Sequence, residues 1–440
     1  MFKHTNGWAR VGIGAATLVL AAHSVPCRAH GSTERVSIGT SGVQGNGFSG
    51  NVPAISADGR FVAFISDASN LVPGDSNRVD DVFVRDRQLG TTRRVNVGPE
   101  GIQANNFNLF QQPAISADGR FVAFTSFASN LVPGDTNRTW DVFVRDRQRG
   151  TTRRVSVGSG GVQGNAASTD QSISADGRLV AFGSMTFNPE DTFFTDVFVR
   201  DRRKGTTQNV SLGLGGVQCG GDCFRPAISA NGRFVAFTSI APNLVRDDTN
   251  NAGDVFVHDR QAGTIGRVSV GPGGIQGNGD SGDDLLRPAV SADGRFVAFS
   301  SSASNLVSDD TNNKRDVFIH DRQTGTTRRV SLGQGGIQAN DESLFPAISA
   351  DGRIVAYTSY ASNLVSGDTN YMYDVFVHDR RTGTTRRVSL GQGGAQGNGD
   401  SLFPAISADG RIVAFASDAS NLVPRDTNGQ ADLFVRVLAP

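Results

Sequence analysis

One eight-residue phrase recurs seven times along the chain. PAISADGR starts at Pro53 and Pro113, becomes QSISADGR at Gln171, PAISANGR at Pro226 and PAVSADGR at Pro288, and returns as PAISADGR at Pro346 and Pro404. Successive starts lie 60, 58, 55, 62, 58 and 58 residues apart. A period of this size belongs to solenoids, propellers and arrays, whose units bury apolar surface only against their neighbours. No interval is long enough to hold an inserted domain.

Each unit reads as four strands. In the first copy these are Ala54–Ser56, Arg60–Ser66 with FVAF at its centre, Asp81–Arg85 (DVFVR) and Thr91–Val97 (TTRRVNV). Ala57-Asp58-Gly59 is a tight hairpin turn, the long loop ASNLVPGDSN joins strands two and three, and DRQLG is a short turn. Phe, Val and Thr in short runs punctuated by Gly, Asn and Asp are strand signals, and no sustained 3.6-residue apolar period appears.

The two ends are out of phase. The last unit stops after DLFVRVLAP without a fourth strand, whereas Glu34–Ile38 is a fourth strand with no unit before it. Joining them completes seven sheets, closes a ring and removes exposed sheet edges. The expected fold is therefore all-β: a seven-bladed propeller of four-stranded antiparallel blades, closed by its N-terminal strand. An open solenoid would leave the matching ends unused. In this topology the long loops and the Gly-rich blade-to-blade connections share one face, the usual kind of place for binding residues.

The 440 residues carry 42 Lys+Arg against 42 Asp+Glu, with Lys only at 3, 204 and 314. Arg and Asp alternate too closely to form a basic stripe, which argues against nucleic acid as a partner. Residues 1–29 differ from the rest: Lys3 and Arg10 precede the apolar run Val11–Ala22, and small residues follow. That is the pattern of a secretory signal peptide, too short to span a bilayer. Its removal leaves 30–440 as the mature propeller, exported to the periplasm or beyond the cell, with no membrane span and a net charge of −3. In an oxidising compartment Cys219 and Cys223, in CGGDC, are expected to close a local disulfide.

The long loop ends in Asp-x-Asn-x-x-x-Asp: Asp75/Asn77/Asp81, Asp135/Asn137/Asp141, Asp248/Asn250/Asp254, Asp310/Asn312/Asp316, Asp368/Asn370/Asp374 and Asp426/Asn428/Asp432. Oxygen ligands at positions 1, 3 and 7 make calcium the one cofactor the sequence suggests. An Asx turn anchoring the strand entrance explains the same pattern. The third unit breaks it, with Asp191-Thr192-Phe193 before Asp196.

The blade-to-blade loop repeats Gln44, Gln103, Gln163, Gln218, Gln276, Gln338 and Gln396. These are either loop ties or a polar ring at the channel mouth. His258, His320 and His378 replace Arg in three consecutive blades, too far apart to share a metal. Gly279-Asp280-Ser281-Gly282 looks like a protease fragment but has a counterpart at Gly399-Asp400-Ser401, and no nucleophile elbow exists. Features present seven times are scaffold candidates, so the deviations carry more information. Trp140, Phe193, Phe194, Tyr371, Met372 and Tyr373 occupy the variable loop tips and are the candidate partner-binding residues.

SADGRFVAFTS (116–126) and DVFVRDRQxGTTRRVSV (141–157) resemble the TolB-type propeller repeat, a WD40-like family with S-x-D-G-x-x-I-A-F, then D-I-Y-V-x-D, then G-x-x-x-R-R-L-T. The resemblance covers nearly all of 33–440 and implies the propeller fold. TolB itself adds an N-terminal α/β domain and joins an envelope complex; the repeats leave no room for that domain. The expected function is a monomeric, non-enzymatic scaffold that binds a protein through its long-loop face. Two alternatives stand beside it: a channel-centred hydrolase or lyase acting on carbohydrate or peptide-like substrate, with Asp283 and Asp284 as the extra acids, and a calcium-stabilised cell-surface propeller.

Overall fold

The computed structural model describes residues 31–108, 111–185, 194–282 and 286–439. It is a seven-bladed β-propeller. Each blade is a four-stranded antiparallel sheet; in six of them strands A to D follow chain order from channel to rim, and in blade 7 the N-terminal strand of the chain is strand D. Blade 1 comprises Ala54–Ile55, Phe61–Ser66, Asp81–Asp86 and Thr91–Arg94. Ring closure is as the chain ends imply: Thr33–Arg35 pairs antiparallel with Asp432–Val437, Glu34 lying opposite Val435. The signal-peptide segment lies outside the described residues. No described helix is long and apolar enough to cross a membrane.

The FVAF run is apolar throughout because both faces of a blade are buried. Val62 and Phe64 pack with Leu433 and Val435 of blade 7, whereas Ala63 and Ile65 pack with Val122 and Phe124 of blade 2. Within each blade an aromatic pair joins strands B and C, as at Phe64–Phe83, with ring centroids 5.8 Å apart. The core is thus seven inter-blade layers. Phe121, for example, is flanked by Arg120 of its own blade and Arg202 of the next, at 4.7 and 4.5 Å.

The A–B turns form a second closed ring. The Ala57 N–H donates to the Ala117 carbonyl, and the sequence continues through Ala175, Ala230, Ala292, Ala350 and Ala408 back to Ala57, at 2.9–3.1 Å. At the roughly 4.8 Å spacing of paired chains, seven such links enclose a Cα ring about 11 Å across. Once backbone thickness is allowed for, the channel is narrow at this end.

Candidate functional site in the channel and on the long-loop face

The inner strand departs from the sequence expectation. In four blades it runs six residues, as Ser168–Ile173, Cys223–Ile228, Ser343–Ile348 and Ser401–Ile406. Each contains a bulge with one non-glycine residue in the left-handed region: Asp170 (φ 59°), Arg225 (56°), Phe345 (54°) and Phe403 (56°). In three of these the next residue is Pro, which cannot donate a ladder hydrogen bond. Left-handed backbone is uncommon for residues with a side chain, and such strain collects at functional sites.

These four residues share one repeat position, directly before the recurring phrase. Around the ring it is filled by Val52, Gln112, Asp170, Arg225, Arg287, Phe345 and Phe403. The recurring phrase that follows is nearly constant, so this position supplies a constellation that the repeats lack. Except for Asp170 these residues line a central cavity of about 510 Å³, walled by the Pro, Ala and Ile side chains of the A strands. That volume is within the range of small-molecule sites.

The polar side of the wall is bonded across blades. Arg225 Nη1 lies 2.8 Å from Asp170 Oδ1. Gln171 Nε2 donates to the Gln112 carbonyl at 2.7 Å, and Thr125 Oγ1 donates to Gln171 Oε1 at 2.6 Å. Arg287 Nη1 reaches past blade 4 to the Gln171 carbonyl at 3.0 Å. Burial pulls the Arg287 guanidinium down to about 10; Asp170 opposes this and Arg225 adds to it, so the group is a cation at neutral pH. Phe345 and Phe403 meet edge to face at 4.7 Å on the opposite side.

The Asp-x-Asn loops bring their two carboxylates together, with a guanidinium between them. Arg94 Nη1 lies 3.0 Å from Asp75 and 2.6 Å from Asp81. Arg154 bridges Asp135 and Asp141, Arg267 bridges Asp248 and Asp254, and Arg329 bridges Asp310 and Asp316. Arg387 does so for Asp368 and Asp374, and Arg35 for Asp426 and Asp432 across the ring closure. Each Asn turns its amide nitrogen toward the strand Asp, at 2.9–3.3 Å for Asn77, Asn137, Asn250, Asn312, Asn370 and Asn428. A calcium ligand set would present the amide oxygen instead. Burial raises the carboxyls of Asp75, Asp135, Asp248, Asp310 and Asp368.

The glutamines join these clusters rather than the channel, so the channel-mouth ring is corrected. None of the seven lines the cavity. Gln103 accepts from Arg94 at 2.9 Å and donates to the Gly74 carbonyl at 2.7 Å. Gln163, Gln276 and Gln396 donate to Asp135, Asp248 and Asp368, Gln44 to Asp426, Gln218 to Asp196, and Gln338 accepts from Arg329. The cause is radial order: the blade-to-blade loop leaves the outermost strand, so its first residues are at the rim.

The loop tips divide. Trp140 packs on Phe127 with ring centroids at 5.4 Å and Tyr373 on Tyr360 at 5.1 Å, so both cover their own blades. Tyr371 is 76% exposed, and Met372 and Phe194 are also open to solvent. Phe193, Asp283 and Asp284 lie outside the described residues. A further set escaped the sequence reading. Val43, Ile102, Val162, Val217, Ile275 and Ile337, each directly before a repeat Gln, are 54–70% exposed. Cys219 and Cys223 are joined by a disulfide. His320 and His378 bond Thr327 and Thr385, as Arg85 bonds Thr92, and thus stand in for arginine.

Comparison with solved structures follows the architecture. Oligogalacturonate lyase from Vibrio parahaemolyticus is 11% identical, covering 92% of this chain and 98% of its own, with a TM-score of 0.52. The β-propeller domain of the Trilobed protease from Pyrococcus furiosus, described as having an open velcro topology, is 12% identical over 88% and 93%, with a TM-score of 0.50. TolB from Acinetobacter baumannii is 14% identical over 81% and 75%, with a TM-score of 0.39. The fold is the seven-bladed propeller that the TolB resemblance implied. These likenesses concern fold alone, and the neighbours include enzymes as well as TolB. No protein-family profile matches the chain, and no curated protein matches it in sequence.

Proposed function

We propose that the protein is an exported, non-enzymatic interaction scaffold that takes a protein partner on its long-loop face. The observation that carries this reading is the apolar rim of that face. Six exposed Val or Ile side chains recur at one loop position, and Tyr371 and Met372 are exposed on a long loop of the same face. Isolated exposed apolar residues need no explanation, but a set on one face is the composition of an interface. Catalysis by paired carboxylates is less well supported. Among the described residues the channel constellation holds one carboxylate, Asp170, and it is ion-paired. The Arg-bridged Asp clusters act as latches that fasten each long loop to its blade, the guanidinium sitting between the two carboxylates where a calcium ion would otherwise be expected. The disulfide fits an oxidising compartment, as export requires.

The test is site-specific photo-crosslinking in the producing cells. A crosslinker at Ile275 or Tyr371 is expected to capture one discrete partner. One at Leu89, exposed on the opposite face, is expected to capture none. Equal crosslinking from both faces, or none from either, overturns the reading. N-terminal sequencing of the exported protein checks removal of 1–29.

A further inference from the structure

We propose that the long-loop end of the channel binds an organic monocarboxylate, its carboxylate on Arg225 and Arg287 and its apolar body against Phe345 and Phe403. Among the described residues two guanidiniums, Arg225 and Arg287, face one carboxylate, Asp170, beside a cavity with an apolar wall. A buried charge is costly unless paired and hydrogen-bonded. Arg287 Nη1 is satisfied by the Gln171 carbonyl, but Nη2 is buried with no hydrogen-bond partner among the described residues. Guanidinium presents parallel N–H donors that match a carboxylate. Among the described residues the excess is one positive charge, which suits a monoanion better than a doubly charged phosphate.

Blades 4 and 5 supply the arginines, and blades 6 and 7 supply the two phenyl rings 4.7 Å apart. A ligand therefore meets cation and aromatic surface in sequence around the ring. The constellation occupies an inner-strand position that differs blade by blade; Arg225, Phe345 and Phe403 are on left-handed backbone there, and Arg287 carries the orphaned donor. The site is separate from the rim and stands or falls independently of the partner face.

The experiment is calorimetric titration of the whole protein with 3-phenylpropionate and with its uncharged amide. The acid is expected to bind at least about tenfold more tightly, as loss of a charge-assisted hydrogen bond implies. Arg287→Gln should weaken acid binding about tenfold and leave the amide unchanged. Asp170→Asn should strengthen acid binding, because it removes the carboxylate that competes with the ligand for Arg225. A tetrapeptide ending in Phe, with a free or amidated C-terminus, separates the sources. Tighter binding of the free-acid peptide than of 3-phenylpropionate identifies a chain terminus as the ligand; weaker binding identifies a small acid. Equal binding of acid and amide, or no binding of either free acid, overturns the proposal. Because that comparison uses the unmodified protein, it holds even if a variant fails to fold.

Discussion

Asp170 and Arg225 occupy the same repeat position on neighbouring blades, both on left-handed backbone, and meet with Oδ1 and Nη1 2.8 Å apart. Their bond joins blades 3 and 4 at the channel wall, where the other blades have no such pair at this position. Asp170→Ala leaves a guanidinium largely shielded from water, and a destabilisation of about 1–2 kcal/mol is expected. Arg225→Met in the Asp170→Ala background should cost less than in the native protein. Chemical denaturation of the four species forms a double-mutant cycle that checks this, and strict additivity refutes the coupling.

Asp80 sits directly before strand C of blade 1, at the position of Trp140 and Tyr373 in their blades. It is buried, and its Oδ2 accepts from the Asn108 N–H at 3.2 Å. Burial pushes its carboxyl from 3.8 to about 6. The folded state therefore keeps a proton that the unfolded chain releases. The associated stability is full below about pH 4 and is lost as pH rises through 6. Asp80→Asn keeps the acceptor without the charge. It should raise stability at pH 7 by up to about 3 kcal/mol and flatten the slope between pH 4 and 6. Thermal melts across that range check both; an unchanged slope counts against the assignment.

The ring and its blades were legible because periodicity is a one-dimensional signal, and the closing strand at Thr33–Arg35 followed from the phase of the two ends. The latches were half legible. Asp75 and Asp81 stood out, but Arg94 did not. It lies on the next strand, and its place beside them depends on hairpin register, with Phe83 opposite Arg94. The channel constellation was the least legible. A reading that searches for repetition passes over the position that does not repeat, although the succession Asp170, Arg225, Arg287, Phe345, Phe403 is visible once the phrases are aligned. The bulges that aim these residues are backbone events without a residue-type signature.

On the short-turn face, Arg178, Arg295 and Arg353 form forks with Asp201, Asp321 and Asp379 at 2.5–2.6 Å. The guanidinium hydrogen bonds outweigh the effect of burial and hold these three carboxyls at about 2. Stability from a lowered carboxyl is present above the unfolded value of 3.8 and is lost as pH falls through 2. A steep acid limb between about pH 4 and 2 is expected. The triple variant Asp201→Asn, Asp321→Asn, Asp379→Asn should be less stable at pH 7 and lose stability less steeply below pH 4. Circular dichroism against pH measures the two limbs, and parallel limbs refute the prediction.

The latch reading separates an arginine-bridged cluster from a calcium site. Arg329 is almost fully buried between Asp310 and Asp316, at 3.3 and 3.1 Å. Removing it leaves two buried carboxylates uncompensated, which for a buried pair costs about 3–5 kcal/mol. With the guanidinium in place the native protein should melt at the same temperature in EDTA and in millimolar calcium. Arg329→Met should melt lower, and calcium should restore part of the loss, because the vacated space lies between two carboxylates. Differential scanning calorimetry of both proteins with and without calcium decides the matter. A calcium-dependent rise in the native protein means that the cation displaces Arg329 from the cluster, and the latch assignment fails. A variant that melts lower but ignores calcium still supports the latch and shows that two carboxylates and an amide nitrogen are too few oxygen ligands for the ion.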